Sequence, residues 1–356
     1  MIQNKFHQNF QLNNISFSSV DELQAYTKGF SEEIHLFLES WFSKSDVIIV
    51  KTSGSTGTPK SISLQKEFVI NSAKATGAFF DLQENTTALL CLPIQYIAGK
   101  LMLIRALTLG WKLDIIESNS NPLKTVEKQY DFTAMVPLQL QNSISKIHLI
   151  KKLIVGGGVV SSALQEKLQT VSTNVFATYG MTETITHIAV KKLNHSDSFG
   201  EKMSRLDFYQ TLPNITIYKD ERNCLVIEAP KVADEIIFTN DVIELVSDRH
   251  FKWLGRFDNV INSGGVKLHP EKIEEKLAKI ISTRFFVIGI PDEKLGEKLI
   301  LFIEGNHKEM SFENIDLTKF EIPKEIYFLN QFIETASGKI KRKKTFDFFK
   351  ELNDLC

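Results

Sequence analysis

Residues 52–60 concentrate hydroxyl groups, glycines and one lysine within nine positions. Hydroxyls and exposed backbone N–H groups donate to phosphate oxygens, glycines let a backbone approach an anion closely, and lysine adds positive charge. The spacing is not that of a Walker loop, in which lysine directly follows the second glycine. The pattern predicts a phosphate-binding loop formed by the following residues: Thr52, Ser53, Gly54, Ser55, Thr56, Gly57 and Lys60.

The segments on either side of this loop have the patterns of regular structure. An apolar, β-branched run at 47–50 predicts a buried strand, and residues 65–80 predict a helix. A flexible Ser/Gly linker is the alternative interpretation. Because a strand precedes the loop and a helix follows it, a linker has no purpose here, and we predict a strand-to-helix turn.

A second group of polar residues follows the predicted strand at 175–177. Tyr179 suits stacking on a base, Thr182 suits donation to a phosphate, and Glu183 offers the oxygen ligands that Mg²⁺ prefers. Ligands of α/β sheets bind at the ends of strands, where these residues lie. The alternative is an ordinary β-turn with a surface glutamate. Three glycines at 156–158 also follow a predicted strand, and a plain turn would explain them equally well.

Two further segments lie in the last third of the chain. The pair Gly264 and Gly265 suits a tight turn or the close approach of a ligand, and Pro270 with Glu271 after it is typical of a helix start. A hairpin and a helix without chemistry would explain these elements. Near the C-terminus Lys339 precedes four consecutive cations at 341–344, which alone would indicate a solvated basic tail.

In this order along the chain, these segments resemble the motifs of the adenylate-forming superfamily, which comprises acyl- and aryl-CoA synthetases, adenylation domains and luciferases. The resemblance covers residues 47–344. It implies that ATP, Mg²⁺ and coenzyme A are bound, that Lys339 is catalytic together with Thr182 and Glu183, and that Glu183 holds the metal. A compact ammonium suits the charge that develops between a carboxylate and the α-phosphate.

The resemblance also assigns the remaining nucleotide contacts and the hinge. Asp258 falls at the hinge position, and Gly264 and Gly265 fall on the side of coenzyme A. Asp241 falls at the ribose position, although Asn240 stands where the family has glycine; asparagine tolerates positive φ, so we expect the turn to be preserved. Besides residues 52–60, the ATP-binding candidates are Gly156, Gly157, Tyr179, Gly180, Asp241 and Arg256.

The segment 92–100, the run 182–189 and the short stretch before residue 52 resemble the short bacterial o-succinylbenzoate–CoA ligases of menaquinone synthesis. The resemblance implies an acid pocket with Tyr96, Arg105, Thr186 and His187. His187 is also consistent with a satisfied core histidine, and Arg105 with a structural ion pair. The functional alternatives are another small aryl- or acyl-CoA ligase, an enzyme that loads a separate carrier protein, and a non-catalytic nucleotide-binding relative.

The length and the order of predicted elements indicate two domains. A chain of 356 residues exceeds what one core usually organises. Strands alternate with helices up to residue 177, which predicts a parallel sheet, and closely spaced strands at 215–254 predict an antiparallel β subdomain. We therefore expect an α/β protein with a large N-terminal domain, residues 1–257, and a small mobile α+β domain, residues 258–356.

Composition excludes several classes of partner. The net charge of −1 gives no basic footprint for nucleic acid or an anionic membrane, and no apolar run approaches the ~20 residues of a membrane helix. The 3 cysteines have neither disulfide nor zinc spacing. We expect a cytoplasmic enzyme that binds small molecules.

Overall fold

The computed structural model describes residues 6–51, 61–195, 208–334 and 340–352. The candidate phosphate loop, residues 52–60, and Lys339 lie outside the described residues. Within the described part no helix is both long and apolar enough to cross a membrane. The α-helices of this part are α1 (Val20–Phe30), α2 (Glu32–Phe42), α3 (Lys66–Phe80), α4 (Ile97–Leu109), α5 (Pro137–Asn142), α6 (Ser162–Leu168), α7 (Pro270–Leu277) and α8 (Arg342–Leu352).

The strands form one large sheet, one small sheet and a separate hairpin. They are β1 (Gln11–Leu12), β2 (Ile15–Ser16), β3 (Val47–Lys51), β4 (Ser61–Gln65), β5 (Thr87–Leu90), β6 (Lys112–Ile115), β7 (Tyr130–Met135), β8 (Ile150–Val155), β9 (Asn174–Gly180), β10 (His187–Lys192), β11 (Tyr209–Thr211), β12 (Thr216–Lys219), β13 (Cys224–Glu228), β14 (Ile237–Ser247), β15 (His250–Arg256), β16 (Ile261–Ser263), β17 (Val266–Leu268), β18 (Phe285–Asp292), β19 (Gly296–Glu304) and β20 (Glu325–Leu329).

The centre of the large sheet is parallel, as the alternation of strands and helices predicts. Neighbours in the order β6–β5–β7–β8–β9 all pair in parallel. Side chains alternate between the two faces of a strand. Ile154 therefore packs into the buried cluster that contains α3 and α4, whereas Leu153 and Val155 pack into the cluster of α5 and α6. Helices cover both faces of the sheet, which is typical of parallel sheets.

The predicted antiparallel subdomain is present and is continuous with the large sheet. β10 turns back along β9, β11 pairs with β10 and β15, and β12–β15 continue the same sheet, so that the order is β12-β13-β14-β15-β11-β10-β9-β8-β7-β5-β6-β1-β2. The prediction of an antiparallel subdomain is confirmed, and the structure adds that its strands continue the parallel sheet. The spacing of strands along the chain predicts which neighbouring strands pair. The turn after β9 joins the parallel strands to the antiparallel ones, and the spacing does not predict it.

The candidate phosphate loop does not lead directly into a helix, and the predicted strand-to-helix turn is wrong. Residues 61–65 form β4, which pairs antiparallel with β3 from Lys51↔Ser61 to Val47↔Gln65, and α3 begins only at Lys66. Residues 61–64 alternate between hydroxyl and aliphatic side chains, the period of a strand, and Leu64 is buried. Residues 52–60 therefore connect the two strands of a hairpin.

The N-terminal strands extend the edge of the large sheet, and the C-terminal third forms a small sheet of its own. The turn Asn13–Asn14, with φ of 51° and 65°, joins β1 and β2 at the edge of the large sheet, since asparagine tolerates this conformation. The small sheet has the order β17-β16-β19-β18, with β20 also on β19, and carries its own buried clusters. The change from one sheet to the other falls between Arg256 and Ile261.

Candidate functional site

The carboxyl ends of β8 and β9 bring the triple glycine beside residues 178–183. β8 and β9 pair up to Val155↔Ala177, so Gly156 stands next to Thr178. A Cβ on Gly156 would lie 2.7 Å from the Thr178 hydroxyl oxygen, which itself donates to the Val155 carbonyl at 3.1 Å. Gly157 has φ +79°, a conformation that favours glycine. Both glycines leave backbone accessible at the edge of the sheet where ligands of such folds bind.

A strained turn after β9 fixes the position of Thr182 and Glu183. The two residues lie in a short 3-10 helix, Thr182–Thr184. Ile185 then has φ +65° and ψ −55°, and the Thr186 N–H donates to the Thr184 carbonyl at 2.7 Å, which makes a γ-turn of the rare, strained form. A β-branched residue in this region is an outlier that costs about 1–3 kcal/mol.

Gly180 makes this reversal possible. It pairs with His187 across the turn, and a Cβ on Gly180 would overlap the Thr186 carbonyl oxygen and lie 2.5 Å from the His187 Cα. Thr184, which sequence reasoning missed, is buried and ties the turn together: its hydroxyl donates to the Thr186 carbonyl at 2.7 Å and accepts from the Met181 N–H at 3.1 Å.

Tyr179 and Asp241 are 62 positions apart in sequence and meet in the structure. The Tyr179 hydroxyl donates to Asp241 Oδ2 at 2.6 Å, and the Trp253 indole donates to Asp241 Oδ1 at 3.1 Å. Burial, and next the Asp241 charge, raise the pKa of Tyr179 well above its usual value. Each carboxylate oxygen keeps a further lone pair for a ligand hydroxyl. Sequence reasoning missed Trp253, since nothing in its local pattern indicates this contact.

The left-handed turn expected at Asn240 is not formed. Asn240 lies inside β14 and is absent from the residues with positive φ. Its amide donates to Asp258 Oδ2 at 3.3 Å and its carbonyl oxygen accepts from Arg222 at 2.9 Å. The expectation was wrong because Asn240 lies within a continuous strand: β14 pairs with β13 at Phe238 and Val242, and with β15 from Asp241 onwards. Asparagine instead supplies a polar link between the sheet and Asp258.

Arg256 and Asp258 lie at the end of the large sheet and are partly in solvent. Arg256 reaches Asp258 Oδ2 at 3.4 Å and Asp241 Oδ1 at 3.8 Å. Asp258 is in the 3-10 turn Phe257–Asn259, between the two sheets. The pair Gly264 and Gly265, with φ of 59° and 81°, forms the tight turn between β16 and β17 that the sequence predicts. A cavity of about 550 Å³ beside this hairpin is lined in part by Asn262, Lys267 and His269.

Three of the four acid-pocket candidates form one buried cluster between α4 and β10. Arg105 on α4 is only 3% exposed, and its guanidinium Nη2 donates to the Thr186 hydroxyl at 3.5 Å. The same hydroxyl is 3.4 Å from Nδ1 of His187, whose Nε2 is 3.5 Å from the Thr76 hydroxyl on α3. A cavity of about 300 Å³ opens onto His187 and Thr184.

The cluster contains a buried positive charge that has no counter-ion in the described part of the chain. No carboxylate of the described residues lies within ion-pair distance of Arg105, and its Nε has no hydrogen-bond partner there. Burial lowers the pKa of Arg105 to about 10, so the group remains charged at pH 7. Burial first, and the Arg105 charge second, hold the pKa of His187 well below its usual value, so His187 is neutral. The structural ion pair considered for Arg105 is therefore not present among the described residues.

Tyr96 lies apart from this cluster. It is 57% exposed and immediately precedes α4, so at ~1.5 Å per residue it is about 13 Å from Arg105 along the helix. Glu183 is exposed as well. Within the described ranges no three His, Cys, Asp or Glu side chains gather as a metal site. A single exposed carboxylate fits Mg²⁺ only where most ligands are phosphate and water oxygens.

A family model described as AMP-binding enzyme matches residues 11–217. The chain is 25% identical over 320 residues to the 2-succinylbenzoate–CoA ligase of Lactococcus lactis, covering 83% of this chain and 70% of that protein. It is 28% identical over 334 residues to the ligase of the same name from Listeria monocytogenes, covering 86% and 71%.

Two solved structures are similar over most of the chain. An acyl-CoA synthetase (AMP-forming)/AMP-acid ligase II-like protein from Dyadobacter fermentans is 37% identical, with a TM-score of 0.60 and coverage of 89% of this chain and 93% of that one. The o-succinylbenzoate–CoA synthetase of Bacillus subtilis, in complex with ATP and magnesium, has a TM-score of 0.70 at 22% identity, with coverage of 84% and 69%. The second likeness concerns the fold alone.

Proposed function

The chain belongs to the family of AMP-binding enzymes, and from this premise we propose that it is an AMP-forming acid–thiol ligase. The proposed reaction converts o-succinylbenzoate, ATP and coenzyme A into o-succinylbenzoyl-CoA, AMP and diphosphate. The names of the relatives at 25–28% identity support this substrate. The proposal depends above all on one observation: Arg105 is a buried cation that has no carboxylate partner among the described residues.

The nucleotide is proposed to bind along the edge formed by β8, β9 and β14. Residues 52–60 take the phosphates, Gly156 and Gly157 flank the adenine, and Asp241 takes the ribose hydroxyls. Tyr179 and Trp253 support this role, since their hydrogen bonds hold the Asp241 carboxylate in one orientation. Glu183 would hold Mg²⁺, which neutralises phosphate charge when it is bound.

The acid is proposed to bind with its two carboxylates at opposite ends of the pocket. An unpaired charge in the interior is costly, so an anionic group that reaches Arg105 is strongly preferred over a neutral one. Thr186 and neutral His187 add hydrogen-bonding groups beside it. A keto-diacid satisfies this arrangement, because one carboxylate pairs with Arg105 while the other remains free to react.

The free carboxylate then attacks the α-phosphorus of ATP. The new bond joins the carboxylate oxygen to phosphorus, the bond to the β-phosphate oxygen breaks, and diphosphate leaves. Lys339 and Thr182 stabilise the negative charge of this transition state. In the second half-reaction the thiolate of coenzyme A attacks the acyl carbon, and AMP leaves with the electron pair of the acyl–oxygen bond.

One cleft serves both half-reactions if the C-terminal unit moves between them. We propose the division into residues 1–257 and 258–356 that the sequence predicts, with Asp258 as the hinge. The change of sheet between Arg256 and Ile261 supports this boundary. Rotation there would withdraw Lys339 and bring Gly264 and Gly265 to the side of coenzyme A.

The test is diphosphate release with ATP and Mg²⁺ across o-succinylbenzoate, benzoate, a medium-chain fatty acid and acetate, with consumption of coenzyme A measured in parallel. Selective turnover of o-succinylbenzoate with consumption of coenzyme A supports the proposal. Turnover of another acid keeps the ligase and refutes the substrate. Diphosphate release without consumption of coenzyme A indicates loading of a carrier protein. ATP binding without turnover of any acid indicates the non-catalytic relative.

A further inference from the structure

Glu271, in the first turn of α7, lies directly against the end of the large sheet. A Cβ built on Gly255 in β15 would overlap the Glu271 carboxylate, and Gly255 has φ +145°, which disfavours other residues. The backbone conformation therefore favours glycine at position 255, and any larger residue there would displace the Glu271 carboxylate. The Glu271 carboxylate, from the C-terminal unit, occupies the space that a side chain at position 255 of the N-terminal unit would need.

The same carboxylate is hydrogen-bonded on one oxygen only. Asn259, the residue after Asp258, donates its side-chain amide to Glu271 Oε1 at 2.5 Å. The other oxygen, Oε2, is buried and has no hydrogen-bond partner among the residues that the structure describes. A buried acceptor without a donor is destabilising. The hydrogen bond from Asn259 stabilises the position of the Glu271 carboxylate, and the unpaired Oε2 destabilises it. Both effects act in the arrangement of the hinge that the structure shows.

Glu271 also contacts the segment that follows Lys339. Arg342, at the start of α8, lies 3.6 Å from Glu271 Oε1 and 2.8 Å from Glu274 Oε2. Glu274 in turn accepts the Val287 N–H at 2.8 Å. Arg342 is three positions beyond Lys339, so one carboxylate links the hinge to the chain that carries the proposed catalytic lysine.

We propose that Glu271 is a positioning residue that sets the balance between the two hinge states. The inference rests on the proposed function, because it requires two half-reactions that use different states. Rotation at Asp258 would move α7 away from Gly255, so this contact exists in one state only. A group that interacts with one of two states shifts their populations, and removal of the Glu271 side chain therefore changes the two half-reactions in opposite directions.

The first test measures both half-reactions in single turnovers for Glu271→Ala and Glu271→Gln. One assay follows acyl-adenylate formation from ATP and acid, and the other follows thioester formation from supplied acyl-adenylate and coenzyme A. The control is Glu321→Gln, which removes a half-buried carboxylate paired with Lys276 at 2.8 Å within the C-terminal unit. We expect the ratio of the two rates to change about fivefold or more in the Glu271 variants and to stay constant in the control. Equal losses in both half-reactions, or an unchanged ratio, would overturn the inference.

The second test does not depend on activity and so separates this inference from the proposed function. Fluorophores on Glu166→Cys in α6 and Lys350→Cys in α8, both exposed, report the distance between the two units in a Cys356→Ser background. We expect Glu271→Ala to change the distribution of distances and Glu321→Gln to leave it as in the parent. If the parent protein turns over no acid, the proposed function fails. The distance measurement still supports the inference through a changed distribution or refutes it through an unchanged one.

Discussion

Replacement of Arg105 by methionine tests the acid pocket most directly. Methionine has a similar length and no charge, so the change removes the guanidinium while filling much of its space. Because Arg105 is 3% exposed and has no carboxylate partner in the described part of the chain, the variant leaves no buried acid unpaired. Loss of activity and loss of stability are therefore expected to separate.

The magnitude follows from the interaction that is removed. A hydrogen bond to a charged group contributes about 1.5–3 kcal/mol. Since 1.4 kcal/mol corresponds to a factor of ten, kcat/KM for o-succinylbenzoate should fall about 10-fold to about 140-fold. An acid with a single carboxylate gains nothing from Arg105, so its kcat/KM should change less than about twofold. The hydrogen bond from Arg105 to Thr186 is long, at 3.5 Å, and its loss contributes little to stability.

Stability is expected to remain or to increase. Replacing buried charges by apolar groups of similar volume is often neutral or stabilising. Thermal unfolding of the variant should therefore have a midpoint equal to or above that of the parent protein. Arg249→Met serves as a control, because Arg249 is exposed and its guanidinium donates to the Thr211 carbonyl at 3.4 Å, away from the proposed acid pocket.

The assay measures kcat/KM for o-succinylbenzoate and benzoate with the parent, Arg105→Met and Arg249→Met, together with the unfolding midpoint of each. An equal loss for both acids would show that Arg105 maintains the site rather than recognising a second carboxylate. A large drop in the midpoint, with or without a change in activity, would refute the view that Arg105 is an uncompensated charge.

Three further predictions concern the turn after β9 and the proposed catalytic lysine. His187 has a folded-state pKa below its unfolded value, so its contribution to stability is present above about pH 6.5 and is lost as the pH falls towards the folded-state pKa. In the parent protein the urea midpoint should therefore fall below pH 6.5, and in His187→Gln it should fall less. Gly180→Ala should destabilise by about 1–3 kcal/mol or more, because its Cβ overlaps the Thr186 carbonyl, whereas Gly158→Ala should change the urea midpoint little, since its nearest neighbour is 3.4 Å away. Lys339→Ala should abolish diphosphate release while sparing thioester formation from supplied acyl-adenylate, and equal loss of both would contradict its assignment to the first half-reaction.

Features that depend on neighbours in sequence were predictable. The glycine pair at 264–265 and the start of α7 at Pro270 follow from local backbone preferences, and the structure has both. The parallel strands β5–β9 follow from alternating apolar runs and helical patterns. The roles of residues 52–60 and Lys339, which lie outside the described residues, stay predictions.

Features that depend on distant pairing were not predictable. β4 is five residues long and directly precedes a helix, and its short alternating pattern forms a strand through pairing with β3. The expected turn at Asn240 is absent because β14 continues through this position and pairs with neighbouring strands on both sides of it. The parallel and antiparallel parts of the large sheet are joined by the turn that contains Ile185, which has φ +65°. A β-branched residue rarely adopts positive φ, so the residue type does not predict this turn.

The sequence by itself determined which chemistry is present: a Gly-Ser-Thr loop with a lysine, a tyrosine and a glutamate after a strand, and a terminal lysine. These are properties of residue type and short spacing, which local sequence records. The tertiary structure decided which of these groups meet. It joined Tyr179 to Asp241 and buried Arg105 beside a neutral His187, leaving it without a counter-ion among the described residues. Burial and long-range pairing arise from the packing of whole helices and strands. They decide which side chains lie together and which charges are left unpaired.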